Sequence, residues 1–262
     1  MKVTVCELPD ATRSFDSQWS ALVRHAGESG AQIVLLPDMP FFRWLAAGRG
    51  FDAALWMAAV RAHEEWEQRL ADLAPAAVLA SRPVDFGNDR YDEGYVWDRD
   101  QGFRSAHAKS SLPDEEHAWE GSWYHSAAPE FTPIEAQSAS VGFLMGTELW
   151  REDEAHRFRG EHVDLLACPR SGGTIAPADW LNQGRGMCRL ARAYGLASNR
   201  SGSFGGQGWI ISPEGEILGT TSAHRPFLTL DIPLSRKELR RYDPEVSGPP
   251  LDPLDSGVPP YP

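Results

Sequence analysis

The apolar residues of the chain follow two patterns that alternate along its length. Short apolar runs ending in turn residues are typical of buried strands, whereas apolar residues spaced three and four apart predict helices. The sequence predicts strands at residues 2–8, 33–36, 76–84, 141–145, 163–170, 195–202 and 227–232. It predicts helices at residues 14–29, 52–71, 152–160 and 178–195. Strands therefore alternate with helices, which favours an α/β layered domain.

Two segments predict hairpins instead of helical crossovers. Residues 92–112 form one strand pair that turns at residues 99–102, and residues 206–220 form another that turns at residues 213–215. A tight turn can join only antiparallel strands. The sheets are therefore expected to be mixed, with parallel and antiparallel neighbours.

Length and charge narrow the class of protein. The chain has 262 residues and 42% hydrophobic content, enough for a sizeable core. Its net charge of −12 and its pI near 5.1 argue against nucleic acid or an anionic membrane surface as a partner. We predict a single domain over residues 1–243 and a Pro-rich tail without regular structure over residues 244–262.

The cellular setting is expected to be the reducing cytoplasm. The N-terminus lacks the long apolar run of a signal peptide, and no run approaches the roughly 20 apolar residues of a membrane helix. The three cysteines, Cys6, Cys168 and Cys188, form no CxxC pair, which argues against a disulfide framework. The sequence therefore indicates a soluble protein.

Polar residues stand in the loops after three predicted strands. Asp38 lies in LLPDMPFF, Lys109 in SAHAKSSLPDEE, and Gly146 with Glu148 in LMGTELW. Ligands of open α/β sheets bind where loops leave the carboxyl ends of strands. A carboxylate and an amine held together can exchange a proton, although each residue alone is also a common turn former or solvated charge.

Six segments together resemble the nitrilase superfamily of carbon–nitrogen hydrolases. The resemblance covers nearly the whole chain, from the first strand to about residue 232, and is carried by LLPDMPFF, HAKSSLPDEE, VGFLMGTELW, GEHVDLLACPR, SNRSG and GWIISPEGEIL. It implies a four-layer α-β-β-α sandwich with two mixed sheets, commonly assembled as a homodimer.

The resemblance also implies a site and shows two departures from it. The family uses a Cys nucleophile, a Glu general base, a Lys that stabilises the oxyanion and a second Glu that follows the Lys. Lys109 matches the Lys, and Glu116 is the choice for the second Glu, with Glu115 and Glu120 as alternates. Asp38 stands at the position of the Glu and Gly146 at the position of the Cys.

Further residues are expected around this centre. Candidate substrate-binding residues share a place in the same loops or next to them, and they are Phe42, Trp119, Thr147, Glu148, Trp150 and Arg170. No metal is expected, because His107, His117 and His125 lack ligand spacing. No cofactor is expected either, because SGSFGGQG precedes a strand, not the helix that a phosphate-binding loop requires.

Three functions are consistent with these residues. The first is an enzyme that uses Asp38 and Lys109 for acid/base chemistry, without a thioester, on a small polar substrate with an amide, nitrile or related C–N group. The second is an inactive pseudoenzyme that binds or assembles. The third is an ordinary amidase or nitrilase in which Gly146 replaces an original Cys to trap substrate. Asp38 argues against the third, because a second position also departs from the family pattern.

Overall fold

The computed structural model describes residues 1–10, 14–116, 118–171, 175–204 and 207–234. These residues fall into one compact unit, Met1–Ile232, and the start of a second, Pro233–Pro262. The predicted tail over residues 244–262 lies outside the described residues, as does the end of the predicted domain over residues 1–243. The fold of the first unit is what positions the site.

The described residues contain fourteen strands and five α-helices. The strands are β1 Lys2–Leu8, β2 Ile33–Leu35, β3 Ala77–Phe86, β4 Asp89–Asp98, β5 Gly102–Ala108, β6 Asp114–Glu115, β7 Ala118–Trp119, β8 Ile134–Ala136, β9 Ala139–Phe143, β10 Leu165–Pro169, β11 Tyr194–Arg200, β12 Trp209–Ile211, β13 Ile217–Thr220 and β14 Phe227–Asp231. The helices are α1 Phe15–Ser29, α2 Ala53–Glu67, α3 Glu120–Trp123, α4 Glu152–Gly160 and α5 Pro177–Ala191. Short 3₁₀ helices span Leu45–Ala47, Gln68–Leu73 and Gly146–Trp150.

The large sheet consists of two halves, which we call the first and second sheets. In the first sheet the strand order is β5-β4-β3-β2-β1-β14, and in the second it is β8-β9-β10-β11-β12-β13. Each contains parallel pairs, such as β1 with β2 and β9 with β10, and antiparallel pairs. The sheets join where Glu7 and Leu8 pair with Asn199 and Arg200. The prediction of an α/β fold with mixed sheets is confirmed.

Helices cover the outer face of each sheet. The apolar side of α1, which includes Trp19 and Leu22, packs against the first sheet, and α2 lies beside it. Helices α4 and α5 pack on the second sheet through residues such as Phe158 and Met187. The inner faces meet each other: a Cβ atom on Gly94 of β4 would lie 2.8 Å from Met145 Sδ. Glycine at this position therefore lets the two sheets approach closely.

The ends of the helices have local causes. Gly30 ends α1 in a left-handed conformation, with φ of 66°, that glycine adopts without strain. Asp52 begins α2 by accepting hydrogen bonds from the backbone N–H groups of Ala54 and Leu55. Pro177 stands in the first turn of α5, where its missing N–H costs nothing.

The sequence predicted most elements and missed some short ones. Strands β6, β7 and β8 and helix α3 have two to four residues each, too few to show a hydrophobic period. Predicted helix 52–71 ends earlier and continues as a 3₁₀ helix, and predicted helix 178–195 ends before β11 begins. Over the described part of the chain, no helix combines the length and the apolarity needed to cross a bilayer.

Candidate active site

Four charged side chains lie buried at one end of the first sheet. Asp38 follows β2, Asp92 lies in β4, Lys109 follows β5 and Glu120 begins α3. None is more than 4% exposed. Fully burying ionisable groups costs free energy unless they are paired or lose their charge, so this concentration marks a functional-site candidate. We call the four residues the Asp38 cluster.

Strand register places Asp92 beside Lys109. Glu93 of β4 pairs with Ala108 of β5, and at the next position the Lys109 N–H donates to the Asp92 carbonyl at 2.9 Å. Directly opposed residues of antiparallel strands have their Cβ atoms about 5 Å apart on the same face. The register of β4 and β5 shifts between Gly94 and Tyr95, an irregularity of the kind often found next to active sites.

Lys109 and Glu120 form the ion pair of the cluster. Lys109 Nζ lies 2.7 Å from Glu120 Oε2. Burial alone would lower the pKa of Lys109, but the negative charges of Glu120, Asp38 and Asp92 outweigh it and raise that pKa. Lys109 therefore stays cationic. Burial raises the pKa of Glu120 to about 7, because the attraction of Lys109 offsets only part of the desolvation.

Asp38 is held in a loop that the backbone and neighbouring side chains fix. The Ser81 hydroxyl donates to Asp38 Oδ1 at 2.6 Å and accepts from the Met39 N–H at 3.0 Å. Arg200, from the second sheet, donates to the carbonyls of Asp38 and Met39 at 3.0 and 2.6 Å. Met39 has φ of 40°, a strained value for a non-glycine residue. Such strain persists where surrounding contacts determine the conformation, as they do here.

Gly146 adjoins the cluster from the second sheet. It follows β9 at the start of a 3₁₀ helix and has φ of 51°. A Cβ atom added to Gly146 would lie 2.8 Å from Lys109 Nζ. The ammonium group of Lys109 therefore borders the space that any side chain at position 146 would occupy.

Glu148 has a different role from the substrate contact predicted for it. Its carboxylate is fully buried and accepts hydrogen bonds from His107 Nε2 at 2.8 Å, the Ser110 N–H at 2.8 Å and the Met145 N–H at 3.1 Å. Burial would raise the pKa of Glu148, but the hydrogen bonds from His107 and Ser110 outweigh it and lower that pKa. Glu148 thus joins the end of β5 to the Gly146 turn. We call these four residues the Glu148 network.

Glu116 is not the carboxylate beside Lys109. It is exposed, in the turn between β6 and β7, while Glu120 makes the ion pair. The prediction that Glu116 lies beside Lys109 is therefore corrected: Glu120, one of the two alternates, occupies that place. The physical reason is the β6–β7 hairpin, which leaves Glu115 and Glu116 at the surface before α3 returns the chain to the core.

The other predicted substrate-binding residues lie around the centre at different depths. Phe42 and Trp119 pack, half-buried, in one apolar cluster with Met39 and Tyr124. Thr147 shares the turn of Gly146, and its hydroxyl donates to the Ser111 carbonyl at 3.5 Å.

Trp150 and Arg170 are linked through a third side chain. Trp150 is 40% exposed and meets the edge of Trp180 at 4.6 Å between ring centroids. The guanidinium of the buried Arg170 lies over the Trp180 ring, 4.7 Å from its centroid. The Arg170 carbonyl accepts a hydrogen bond from the Asp38 N–H. Arg170 thereby contacts the loop of Asp38 through its backbone.

The three cysteines lie in the core. Cys168 of β10 is the nearest to the site, and its sulfur accepts a hydrogen bond from the Gly146 N–H. Burial raises the pKa of Cys168 to about 12, so its thiol is neutral at ordinary pH. Burial likewise raises the pKa of Cys6 to about 12 and that of Cys188 further. Among the described residues, no group of three or more His, Cys, Asp or Glu is arranged to hold a metal ion.

The sequence did not predict Asp92 as a site residue or its contact with Asp38. Asp92 shares the inward face of β4 with Gly94 and Val96. Asp is disfavoured in strands, and an Asp on the buried face of one is a signal that could have identified it. Tyr124, another buried polar residue at this site, has its pKa raised first by burial and then by the charges of Asp38 and Asp92.

The comparisons with known proteins agree with the fold described above. The sequence matches the carbon–nitrogen hydrolase family over residues 5–242, so the chain belongs to that family, within the nitrilase superfamily. No curated protein sequence matches it. A carbon–nitrogen hydrolase from Helicobacter pylori G27 superposes with a TM-score of 0.76 at 15% identity, covering 87% of each chain.

Two further solved structures share the fold. An amidase from Nesterenkonia sp. has a TM-score of 0.73 at 16% identity, covering 92% of this chain and 95% of the amidase. A glutamine-dependent NAD+ synthetase from Acinetobacter baumannii has a TM-score of 0.71 at 13% identity, covering 87% of this chain and 44% of the synthetase. Identities this low establish a common fold and leave the activity to be argued from the site.

Proposed function

We propose that this carbon–nitrogen hydrolase family member acts on a small polar molecule with an amide, nitrile or related C–N group, by acid/base chemistry without a thioester. The observation that carries the proposal is the Asp38 cluster itself, a buried cation and three buried carboxyl groups next to a residue without a side chain. The charged groups that position and stabilise are present, whereas the group that would form a covalent bond is not.

A relative illustrates the chemistry that this chain lacks. A variant of the Nesterenkonia amidase carries the acetamide moiety of fluoroacetamide covalently at its active site cysteine. Covalent catalysis needs an atom that can form such a bond, and Gly146 offers none. Cys168 does not replace it, because its thiol is buried and its pKa is about 12.

The remaining side chains support acid/base roles. Asp38 accepts a hydrogen bond from Ser81 that fixes its carboxyl group in place, and a carboxylate so held is suited to take a proton from water. Lys109 keeps its positive charge, which suits it to stabilise negative charge on a substrate oxygen but not to act as a nucleophilic amine. Glu120 holds the ammonium of Lys109 in place through their ion pair.

A second candidate function, binding without turnover, is favoured by one feature of the site. Lys109 Nζ is paired with Glu120 and borders the position of a residue-146 side chain, so this cation already has a partner within the cluster. A pseudoenzyme could use the same cluster for recognition alone. We also propose, as the resemblance implies, that the protein is a homodimer, which light scattering at micromolar concentration tests.

The decisive experiment measures turnover and covalent labelling together. Wild type, Lys109→Met and Asp38→Asn are incubated with a panel of small amides and nitriles, released ammonia is measured, and each protein is weighed by mass spectrometry. We expect wild-type turnover without any adduct, and its loss in both variants while circular dichroism shows that they remain folded. An adduct on the wild type contradicts the non-covalent route, and no turnover on any substrate favours the binding function.

Restoring the sulfur separates positioning from bond formation. Gly146→Cys is expected to give a slowly formed acyl-enzyme that mass spectrometry detects, because the positive φ and the nearby Lys109 Nζ both oppose a side chain there. Asp38→Glu in addition is expected to speed it, since Glu is the family's residue at this position. The absence of any adduct in both variants would indicate a pocket remodelled away from the family's chemistry.

A further inference from the structure

Asp92 carries a buried carboxyl group that has no role in the proposed function. It is 1% exposed, and neither of its carboxyl oxygens accepts a hydrogen bond from a donor among the described residues. Natural proteins rarely leave a buried polar group unsatisfied without a functional reason. The position of this one, beside Lys109 and facing Asp38, places it in the Asp38 cluster.

The carboxyl groups of Asp92 and Asp38 lie in hydrogen-bonding contact. Two carboxylates in contact repel each other, so such a pair holds one proton between its members. The Ser81 hydroxyl donates a hydrogen bond to Asp38 Oδ1, whereas the two oxygens of Asp92 have no donor among the described residues. The shared proton therefore resides mainly on Asp92, which donates it in a hydrogen bond to Asp38.

The surrounding charges agree with this assignment. Burial raises the pKa of Asp92 well above its ordinary value, and the negative charges of Asp38 and Glu120 raise it further, while Lys109 acts in the opposite direction. Tyr124, whose hydroxyl is buried nearby, faces the same carboxylates. With Asp92 neutral, the positive charge of Lys109 is balanced by Glu120 and Asp38, the two residues whose charges act on it most strongly.

We propose that Asp92 is a catalytic acid that works with Asp38 as the base, so that a carboxyl pair sharing one proton activates water in place of the missing thiol. The inference rests on the proposed function and deepens it, because it names the second proton-carrying residue. Carboxyl pairs that share a proton are an established way to hydrolyse amides without a covalent intermediate in unrelated proteins.

The reaction balances with these two residues and water. Asp38 takes a proton from water as the water oxygen bonds to the amide carbon, and the carbonyl oxygen takes the proton of Asp92. The resulting gem-diol collapses when Asp38 gives its proton to nitrogen and the C–N bond breaks. Asp92 takes back a hydroxyl proton as the C=O bond re-forms. The products are a carboxylic acid and an amine or ammonia, and both side chains return to their starting states.

The shared proton can be measured without any substrate. Infrared spectra are recorded over a pH series that ends above pH 7, where Glu120 loses its own carboxyl band because its pKa is about 7. We expect the C=O stretch of a buried protonated carboxyl group in wild type and in Asp89→Asn, and its loss in Asp92→Asn. Asp89 lies on the same strand and is exposed, so its variant makes the same chemical change outside the cluster. A wild type without this band overturns the shared proton.

The catalytic role is measured on the amide that wild type turns over fastest. Asp92→Asn keeps the size of the side chain but cannot give up a proton, so kcat is expected to fall about 100- to 10,000-fold, with KM little changed. The alkaline limb of the pH–rate profile that Asp92 contributes is expected to vanish. Asp89→Asn is expected to keep the wild-type profile.

The kinetic results separate the catalytic role of Asp92 from the proposed function on which it rests. If Asp92→Asn keeps the wild-type kcat and pH profile, Asp92 is not the acid, while the proposed function stands. If wild type turns over no member of the panel, the proposed function fails and the catalytic role of Asp92 fails with it. The infrared band then still reports whether the two carboxyl groups share a proton.

Discussion

Two buried groups of charged residues flank Gly146, and they differ in how well their charges are satisfied. In the Glu148 network the carboxylate accepts hydrogen bonds from His107, Ser110 and Met145, and its pKa is lowered. In the Asp38 cluster the pKa values of Asp92 and Glu120 are raised, because burial exceeds the compensation that Lys109 provides. Both groups are almost inaccessible to solvent.

The difference indicates which group holds the fold together and which is available for chemistry. A carboxylate surrounded by N–H donors is stable as an anion and has little tendency to exchange a proton. A carboxyl group whose pKa is raised to about 7, as that of Glu120 is, exchanges its proton near the neutral range, which is what acid/base catalysis requires. Glu148 therefore belongs to the scaffold of the site, and Asp38, Asp92, Lys109 and Glu120 belong to its centre.

The largest loss of unfolding free energy is expected when the hydrogen-bonded carboxylate of Glu148 is removed. Glu148→Gln replaces an acceptor by an amide whose NH₂ faces protein donors, so we expect the free energy of unfolding to fall by about 3–5 kcal/mol. Urea denaturation with an unchanged m-value measures it. Asp153→Asn, at an exposed carboxylate that pairs with Arg151, is the control and is expected to lose no more than about 1 kcal/mol.

Asp92→Asn makes the matching change in the Asp38 cluster and tests the contrast with the Glu148 network. On the proposal that the Asp92 carboxyl group is neutral in the folded protein, an amide of the same size is expected to change the free energy of unfolding by less than about 1 kcal/mol. A loss as large as that of Glu148→Gln would show that Asp92 is ionised and structurally paired, and the comparison would then be wrong.

The next effect is a dependence of stability on pH. The pKa of Glu120 rises from 4.5 to about 7 on folding, so the folded state binds this proton more tightly. The stability that it contributes is fully present below pH 4.5 and is lost as the pH rises through 7. The loss is about 3 kcal/mol, at roughly 1.4 kcal/mol for each pH unit of the shift.

The measurement compares wild type with Glu120→Gln by urea denaturation at pH 5 and pH 8. Wild type is expected to lose more stability than the variant between these values, because Gln does not titrate. Groups outside the Asp38 cluster contribute equally to both proteins, so the difference reports on Glu120 and on the residues whose pKa its charge affects. Equal pH dependence in the two proteins would contradict the raised pKa.

How far the sequence could predict this site depends on where each residue lies. Asp38 and Gly146 follow the buried strands β2 and β9, and Lys109 follows β5, the second strand of a predicted hairpin. Sequence patterning locates such strand ends well, so all three residues are predicted in one region. Asp92 lies in the middle of β4, and its position opposite Lys109 depends on a register that a bulge alters. A single sequence does not reveal such a register.

The choice among Glu115, Glu116 and Glu120 shows a second limit. The three residues stand within one short segment, and which of them faces Lys109 depends on the hairpin of β6 and β7. Strands of two residues leave no periodic signal. The overall α/β fold was predictable because its long strands and its helices repeat apolar residues over many positions.

A smaller loss of unfolding free energy is expected from a substitution at Gly146, which lies between the Asp38 cluster and the Glu148 network. Gly146→Ala places a side chain at φ of 51°, which costs about 1–2 kcal/mol, and displaces Lys109 Nζ, which would lie 2.8 Å from the new Cβ. Gly102→Ala is the matched control, because Gly102 has φ of 68° and open space around it. The difference between the two losses of unfolding free energy, measured in urea, gives the cost of moving Lys109. Equal losses would show that Lys109 moves aside freely.

The smallest effect tests the distinction between the two glutamates that the sequence left open. Glu116 is exposed beyond β6, and surface substitutions usually change stability by less than about 0.5 kcal/mol, so Glu116→Gln is expected to unfold at nearly the wild-type urea concentration at every pH. Glu120→Gln makes the same chemical change four residues later, in the buried ion pair with Lys109, and alters the pH dependence instead. The two variants differ only in where the hairpin of β6 and β7 leaves each side chain. If Glu116→Gln flattened the pH dependence and Glu120→Gln did not, the carboxylate beside Lys109 would be Glu116, and the centre of the site would have to be rebuilt around it.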